Sequence, residues 1–204
     1  MTPMTISISQ STSNTSSVSG SLYGSGTTAV ILSNMDTNDQ REWEPVVEAL
    51  ASGPHMVVTY DYPGFSLDQS HILEAVISHV ASMGATRFLL AGASRGGVAS
   101  LKVASRRPHD EKIVGVAALS APIEHEGSVF YTAEELKAIA VPKLLVNSEG
   151  DDGAADNHRM LTLFNAPKTL AIYPGDGHGT QIFDEHKEAA VEALVSFINR
   201  AFSA

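Results

Sequence analysis

The stretch Arg87-Phe88-Leu89-Leu90-Ala91-Gly92-Ala93-Ser94-Arg95-Gly96-Gly97-Val98-Ala99-Ser100-Leu101-Lys102-Val103-Ala104 decides the fold. Arg87 to Ala91 is a short apolar run of the kind that makes a buried strand. Gly97 to Ala104 reads as a helix. Between them stands Ser94, with Gly92 two residues before it and Gly96 two residues after. A turn sharp enough to send a strand straight into a helix brings backbones close together, and side chains at the two glycine positions would collide with the neighbouring strand and helix. Such a turn lifts the Ser94 hydroxyl clear of the sheet. It also leaves the Arg95 amide at a helix N-terminus, where it can bind an oxyanion.

A raised serine is chemically useful only beside a base. His178 lies in Tyr173-Pro174-Gly175-Asp176-Gly177-His178-Gly179, after the last apolar run, Thr169 to Tyr173. Its flanking glycines let the backbone turn so that the imidazole can approach the serine. The other seven histidines lack this setting. His79 falls on the apolar face of a helical pattern and reads as a packed core residue, and Glu124-His125-Glu126 reads as a solvated loop. An acid is needed to hold the imidazole in the right tautomer and to stabilise the imidazolium formed during attack. Val141 to Asn147 reads as another strand, and Ser148-Glu149-Gly150-Asp151-Asp152-Gly153 follows it, so Asp151 or Asp152 is the candidate. The chain order is then serine, aspartate, histidine.

With these residues the chain resembles a compact, lid-poor member of the α/β-hydrolase superfamily from about Ser19 to its C-terminus. Ala29 to Asn34 resembles the strand before the family's oxyanion loop. Val57 to Ser66 resembles the next strand with its aspartate–glycine turn, and Ile113 to Pro122 the strand after the nucleophile helix. The resemblance implies an α/β fold with a mainly parallel central sheet, helices on both faces and no separate lid domain. It implies a serine esterase that works through an acyl-enzyme without a cofactor or metal. Ser94, Asp151 and His178 would be its catalytic triad, and the Met35 and Arg95 backbone amides its oxyanion hole. Asp151 is preferred over Asp152 because the family often has G-x-x-D here, with Ser148 in the glycine's place. The implied partner is a small-molecule acyl substrate, with a small carboxylic ester favoured. One departure stands out. Where many members have His-Gly after the first strand, this chain has Asn34-Met35, the single feature that favours a non-catalytic binding or interaction module on the same fold.

Composition bounds the remaining possibilities. The chain has 204 residues, 43% of them hydrophobic, enough for one domain with a sizeable core. There is no cysteine, which excludes disulfides, thiol catalysis and thiolate metal sites. A formal charge of -10 argues against nucleic acid or an anionic membrane as partner, since both call for basic surface. No G-x-G-x-x-G follows a strand, and neither G-x-x-x-x-G-K-[ST] nor H-E-x-x-H occurs. Met1 to Ser25 is rich in Ser and Thr, without a basic start or an apolar h-region, which predicts no signal peptide and a cytoplasmic protein.

The organisation expected is a polar segment over residues 1–18, either a tail or a first strand, and a single domain over 19–204. Met4 to Ser9 alternates with period two, and Ser17 to Tyr23 could return as its partner. Helical stripes run through Trp43, Val46, Val47 and Leu50, through Ile72, Ala75, Val76, His79, Val80 and Met83, and through Val191, Leu194, Val195, Ile198 and Phe202. Thr132-Ala133-Glu134-Glu135 is a capping box that opens a short helix ending before Val141-Pro142. Only about twenty residues separate the strand ending near Ser120 from the next, room for a loop more than a lid.

Overall fold

The computed structural model describes residues 2–9, 15–64 and 68–204. Phe65 and Ser66, the end of the turn expected after Asp61, lie outside the described residues. The chain opens with a hairpin, β1 (Thr2–Ser9) against β2 (Thr15–Tyr23), and β2 pairs antiparallel with β4 (Met56–Asp61). The remaining strands of the sheet, β3 (Thr28–Ser33), β5 (Arg87–Ala93), β6 (Ile113–Leu119), β9 (Lys143–Ser148) and β10 (Lys168–Tyr173), run parallel with β4. The order across the eight-stranded sheet is β1-β2-β4-β3-β5-β6-β9-β10. A separate two-stranded hairpin, β7 (Glu124–His125) with β8 (Ser128–Val129), stands after β6.

Alternation along the parallel strands explains how both faces are covered. Ile31, Val58, Leu90 and Val116 point into one core, shared with α2 (Ser70–Ser82), α3 (Arg95–Arg106), α4 (Ala133–Ala138) and α5 (Ala154–Leu163). Their neighbours Val30, Leu32, Val57, Leu89 and Ala117 point to the other side, against α1 (Glu44–Leu50) and α6 (Ile182–Ser203). A sheet buried on both sides reads as continuous apolar runs, and the sequence shows such runs. Trp43, fully buried at the end of a 3₁₀ turn, packs edge-on to Phe183 and ties α1 to the start of α6.

Several local expectations hold. The capping box forms, with the Thr132 hydroxyl accepting from the Glu135 amide at 3.1 Å and the Glu135 carboxylate accepting from the Thr132 amide at 2.7 Å. The segment from Ser120 to Pro142 holds only the β7–β8 hairpin and α4, so no lid domain stands over the sheet. Two expectations need correction. His79 is half-buried and Met83 exposed, because the stripe that meets the core runs through Ile72, Leu73, Val76, Ile77 and Val80. Glu124-His125 is not a loop but the first strand of the small hairpin, though both residues are exposed. The sequence also carries little sign of α5, where only Asn157 and Met160 are buried and no apolar stripe develops. Among the described residues, no helix is long and apolar enough to cross a membrane.

Because β3 to β6, β9 and β10 are parallel, their C-terminal ends meet along one edge of the sheet. Ser33, Asp61, Ser94, Ser120, Ser148 and the loop after Tyr173 all lie there. Open α/β sheets bind ligands at this edge.

Candidate active site

Ser94 sits between β5 and α3 with φ 49° and ψ -115°, a left-handed backbone that non-glycine residues seldom adopt. The turn is held from both sides. Its amide donates to the Leu119 carbonyl at 2.7 Å, and its carbonyl accepts from the Val98 amide at 2.9 Å. The two glycines are sterically required. A Cβ at Gly92 would overlap the Gly96 backbone, and one at Gly96 would overlap the Ser33 carbonyl at the end of β3. Alanine at either position would therefore drive the helix start away from the sheet.

His178 lies at the other side of the same cleft. Its Nδ1 is 2.6 Å from Asp151 Oδ2, and the second oxygen, Oδ1, accepts from the Gly153 amide at 2.6 Å. The Asp151 side chain is only 3% exposed, while that of His178 is 43% exposed, so the carboxylate is enclosed and the imidazole faces the cleft. Burial pushes the Asp151 carboxyl up, but the hydrogen bonds from His178 and Gly153 outweigh it and hold the group below the ordinary carboxylate value. The hydrogen bond to Asp151 raises His178 above an ordinary histidine against the opposing effect of burial, with the negative charges of Asp151, Asp36 and Asp152 adding to the rise. Asp152 is exposed on the rim and makes no hydrogen bond to His178.

The cleft is about 600 Å³ in volume and takes in Ser94, Arg95, Ser120, Asp151 and His178. Val98, Pro122 and Phe130 supply its apolar wall, and His125 reaches it from the β7–β8 hairpin. Among the described residues its lining carries six carboxylates, of Asp36, Glu124, Asp151, Asp152, Asp156 and Asp176, against the single guanidinium of Arg95. That guanidinium is committed locally: Arg95 Nε lies 2.9 Å from Asp36 Oδ1, and the group sits 5.1 Å from the centre of the Tyr62 ring.

Asn34-Met35, where the family pattern breaks, proves firmly anchored. Asn34 is fully buried and its Nδ2 donates to Asp61 Oδ1 at 3.0 Å. The same carboxylate accepts from the Gln40 amide at 2.9 Å and from Gln40 Nε2 at 2.8 Å, so Asp61 gathers both ends of the loop after β3. The Asn34 carbonyl accepts from the Tyr62 hydroxyl at 3.1 Å. This carbonyl and that of Ser33 press on Gly96, which sets the loop and its Met35 peptide against the first turn of α3, beside Arg95. The Met35 side chain turns from the cleft toward Gly179 and Thr180, its sulfur 3.2 Å from the Thr180 hydroxyl.

Sequence reasoning missed the residues that hold the histidine loop. Ser120 and Ser148, both buried, bond the backbone on either side of His178: the Gly179 amide donates to Ser120 Oγ at 2.9 Å, and Ser148 Oγ donates to the Gly177 carbonyl at 2.8 Å. The available signal was a polar residue closing each apolar strand.

No family model matches the chain, and no curated protein sequence matches it. Solved structures do. Est1E from Butyrivibrio proteoclasticus aligns with a TM-score of 0.77 at 17% identity, over 98% of this chain and 99% of that one. The esterase domain of a Rhodothermus marinus protein aligns at 0.75 with 14% identity, again over 98% and 99%. The chain has the α/β-hydrolase fold. A bromoperoxidase from Bacillus anthracis, at 0.76 and 14% identity over 97% of this chain and 100% of that one, is similar in the same way. In this fold Ser94 stands at the turn from β5 into α3, and Asp151 and His178 lie in the loops after β9 and β10.

Proposed function

We propose that the protein is a serine hydrolase that cleaves a small carboxylic ester, or a related acyl substrate, through an acyl-enzyme. The observation that carries this reading is the 2.6 Å contact of His178 with an enclosed Asp151, in a cleft shared with Ser94 on its left-handed turn. His178 Nε2 takes the Ser94 proton as Oγ attacks the acyl carbonyl. Asp151 keeps the remaining proton on Nδ1 and stabilises the imidazolium. The Met35 and Arg95 amides receive the oxyanion. The imidazolium then protonates the departing alcohol, and water activated by the same histidine releases the acid. The named esterases among the structural neighbours favour an ester over other acyl groups. The anchored Asn34 weighs against an inert module, since Asp61 and Tyr62 hold the loop that would offer the Met35 amide without the family's His-Gly.

The cleft favours short, uncharged acyl groups. Among the described residues, three apolar side chains line the cleft and no lid stands over it, which leaves little surface for a long chain, and each unburied methylene forgoes about 0.8 kcal/mol. Its carboxylates disfavour an anionic acyl group. A p-nitrophenyl ester series tests both. Turnover is expected to flatten beyond a few carbons, to fall for a hemisuccinate, and to vanish in Ser94→Ala, which loses on the order of 10⁶ in rate. A rate that climbs steadily to long chains contradicts the shallow site, and a Ser94→Ala variant with more than a few per cent activity contradicts the nucleophile.

A further inference from the structure

We propose that Ser120 is a positioning residue for His178, an inference that rests on the hydrolase reading above. Its hydroxyl has one proton and two lone pairs, and the structure uses both kinds of capacity. Oγ donates to Asn147 Oδ1 at 2.7 Å and accepts from the Gly179 amide at 2.9 Å. Asn147 Oδ1 also accepts from the Ser148 amide at 2.8 Å, and Ser148 Oγ holds the Gly177 carbonyl. The two peptides that flank His178 are thus clamped by hydroxyls from the ends of β6 and β9, and Asn147 joins the clamps. The acid that contacts His178 Nδ1 leaves the same end of β9, so acid and base share one rigid frame.

Three features separate this from an ordinary buried serine. Ser120 lines the cleft and is nonetheless fully buried as a residue. Its φ of 48° is left-handed, a conformation that persists only where the surroundings over-determine it; here its amide is fixed to the Val146 carbonyl at 2.9 Å and its hydroxyl is bonded twice. The loop it grips is closely packed: at Gly179 (φ 60°) an added Cβ would meet Met35 Sδ at 2.9 Å and Ala93 Cβ at 3.2 Å.

Ser120→Ala removes both hydroxyl bonds and keeps the backbone requirement. Ser120→Gly removes the same bonds and relieves the left-handed strain, which protects the test against a variant that merely folds poorly. Both are expected to lower kcat about 10- to 100-fold with KM within about twofold, the cost of a base displaced by a fraction of an ångström to an ångström. The acid limb of kcat/KM is expected to move to lower pH, because the pairing that raises His178 loosens; the other charged groups acting on His178, Asp36 and Asp152, are unchanged by either variant. A structural role predicts something else: activity that follows stability, recovers in Ser120→Gly and leaves the acid limb in place. That result, or a kcat within about threefold of the parent in both variants, overturns the inference. The controls are on the parent protein. If it neither hydrolyses an ester nor takes up a fluorophosphonate at Ser94, the hydrolase reading falls and this inference with it. If it does both and the variants match it, this inference alone falls.

Discussion

The two walls of the cleft do the same mechanical job with different materials. On the His178 side, neutral hydroxyl and amide groups at the ends of β6 and β9 grip the backbone of a glycine loop, and one carboxylate touches the imidazole. On the Met35 side, a carboxylate does the gripping: Asp61 takes hydrogen bonds from Asn34 and from two nitrogens of Gln40. The difference follows from what each wall has to do. A group raised above its ordinary value by its hydrogen bond to Asp151, and further by the charges of Asp151, Asp36 and Asp152, is sensitive to more charge, so neutral groups suit its supports. On the proposed mechanism the Met35 loop works through a backbone amide and needs only to stand still, and charge-assisted bonds hold a loop more strongly than neutral ones.

That contrast can be broken most sharply at the paired aspartates. Asp151→Asn is expected to lose roughly 10⁴ in kcat, because the imidazole is left in the wrong tautomer, whereas Asp152→Asn stays within a few-fold of the parent. Steady-state kinetics of the two variants on one short ester decide it, and the reverse pattern would move the acid to Asp152.

The opposite wall is expected to respond less. Asp61→Ala frees Asn34 and Gln40 together, so the Met35 amide loses its fixed position. A drop in kcat of about 10- to 100-fold is expected, no more than the loss of one oxyanion donor. Thermal denaturation should show a stability loss on the order of 1–3 kcal/mol from buried groups left unpaired. Parent-like kcat alongside that stability loss would mean that the loop does not set the oxyanion site.

The smallest effect is the position of the pH profile. On the proposed mechanism His178 must be neutral to take the Ser94 proton, and its hydrogen bond with Asp151 raises its pKa. Activity is therefore lost as pH falls through that raised value, so the acid limb of kcat/KM lies to the alkaline side of an ordinary histidine. Below it, the rate falls about tenfold per pH unit. An acid limb on the acidic side of an ordinary histidine would show that the pair does not work as described.

How much of this was legible depended on the distance over which a residue's role is defined. The elbow was legible because Gly92, Ser94 and Gly96 announce a local steric problem within five residues. His178 was legible from its glycines, and Asp151, in preference to Asp152, from its spacing after β9. Ser120, Ser148, Asn34 and Asp61 were not, since a polar residue closing an apolar run looks like any turn residue until its partner is known. Those partners lie 21 to 59 residues away. The helix α5 escaped for a different reason. Beneath it only Asn157 and Met160 are buried, and Asn157 is there to donate to the Ala121 carbonyl at 2.8 Å, not to fill a core. His79 was misjudged because one apolar stripe of α2 was read a residue or so off its true centre.

The central claim is that Ser94 is a nucleophile activated by the His178–Asp151 pair. Incubation with a fluorophosphonate, followed by peptide mapping in the mass spectrometer, tests it without knowledge of the natural substrate. The account predicts a single adduct on Ser94, absent in Ser94→Ala and formed much more slowly in Asp151→Asn. An unlabelled protein, or an adduct on another residue with Ser94 intact, would contradict it.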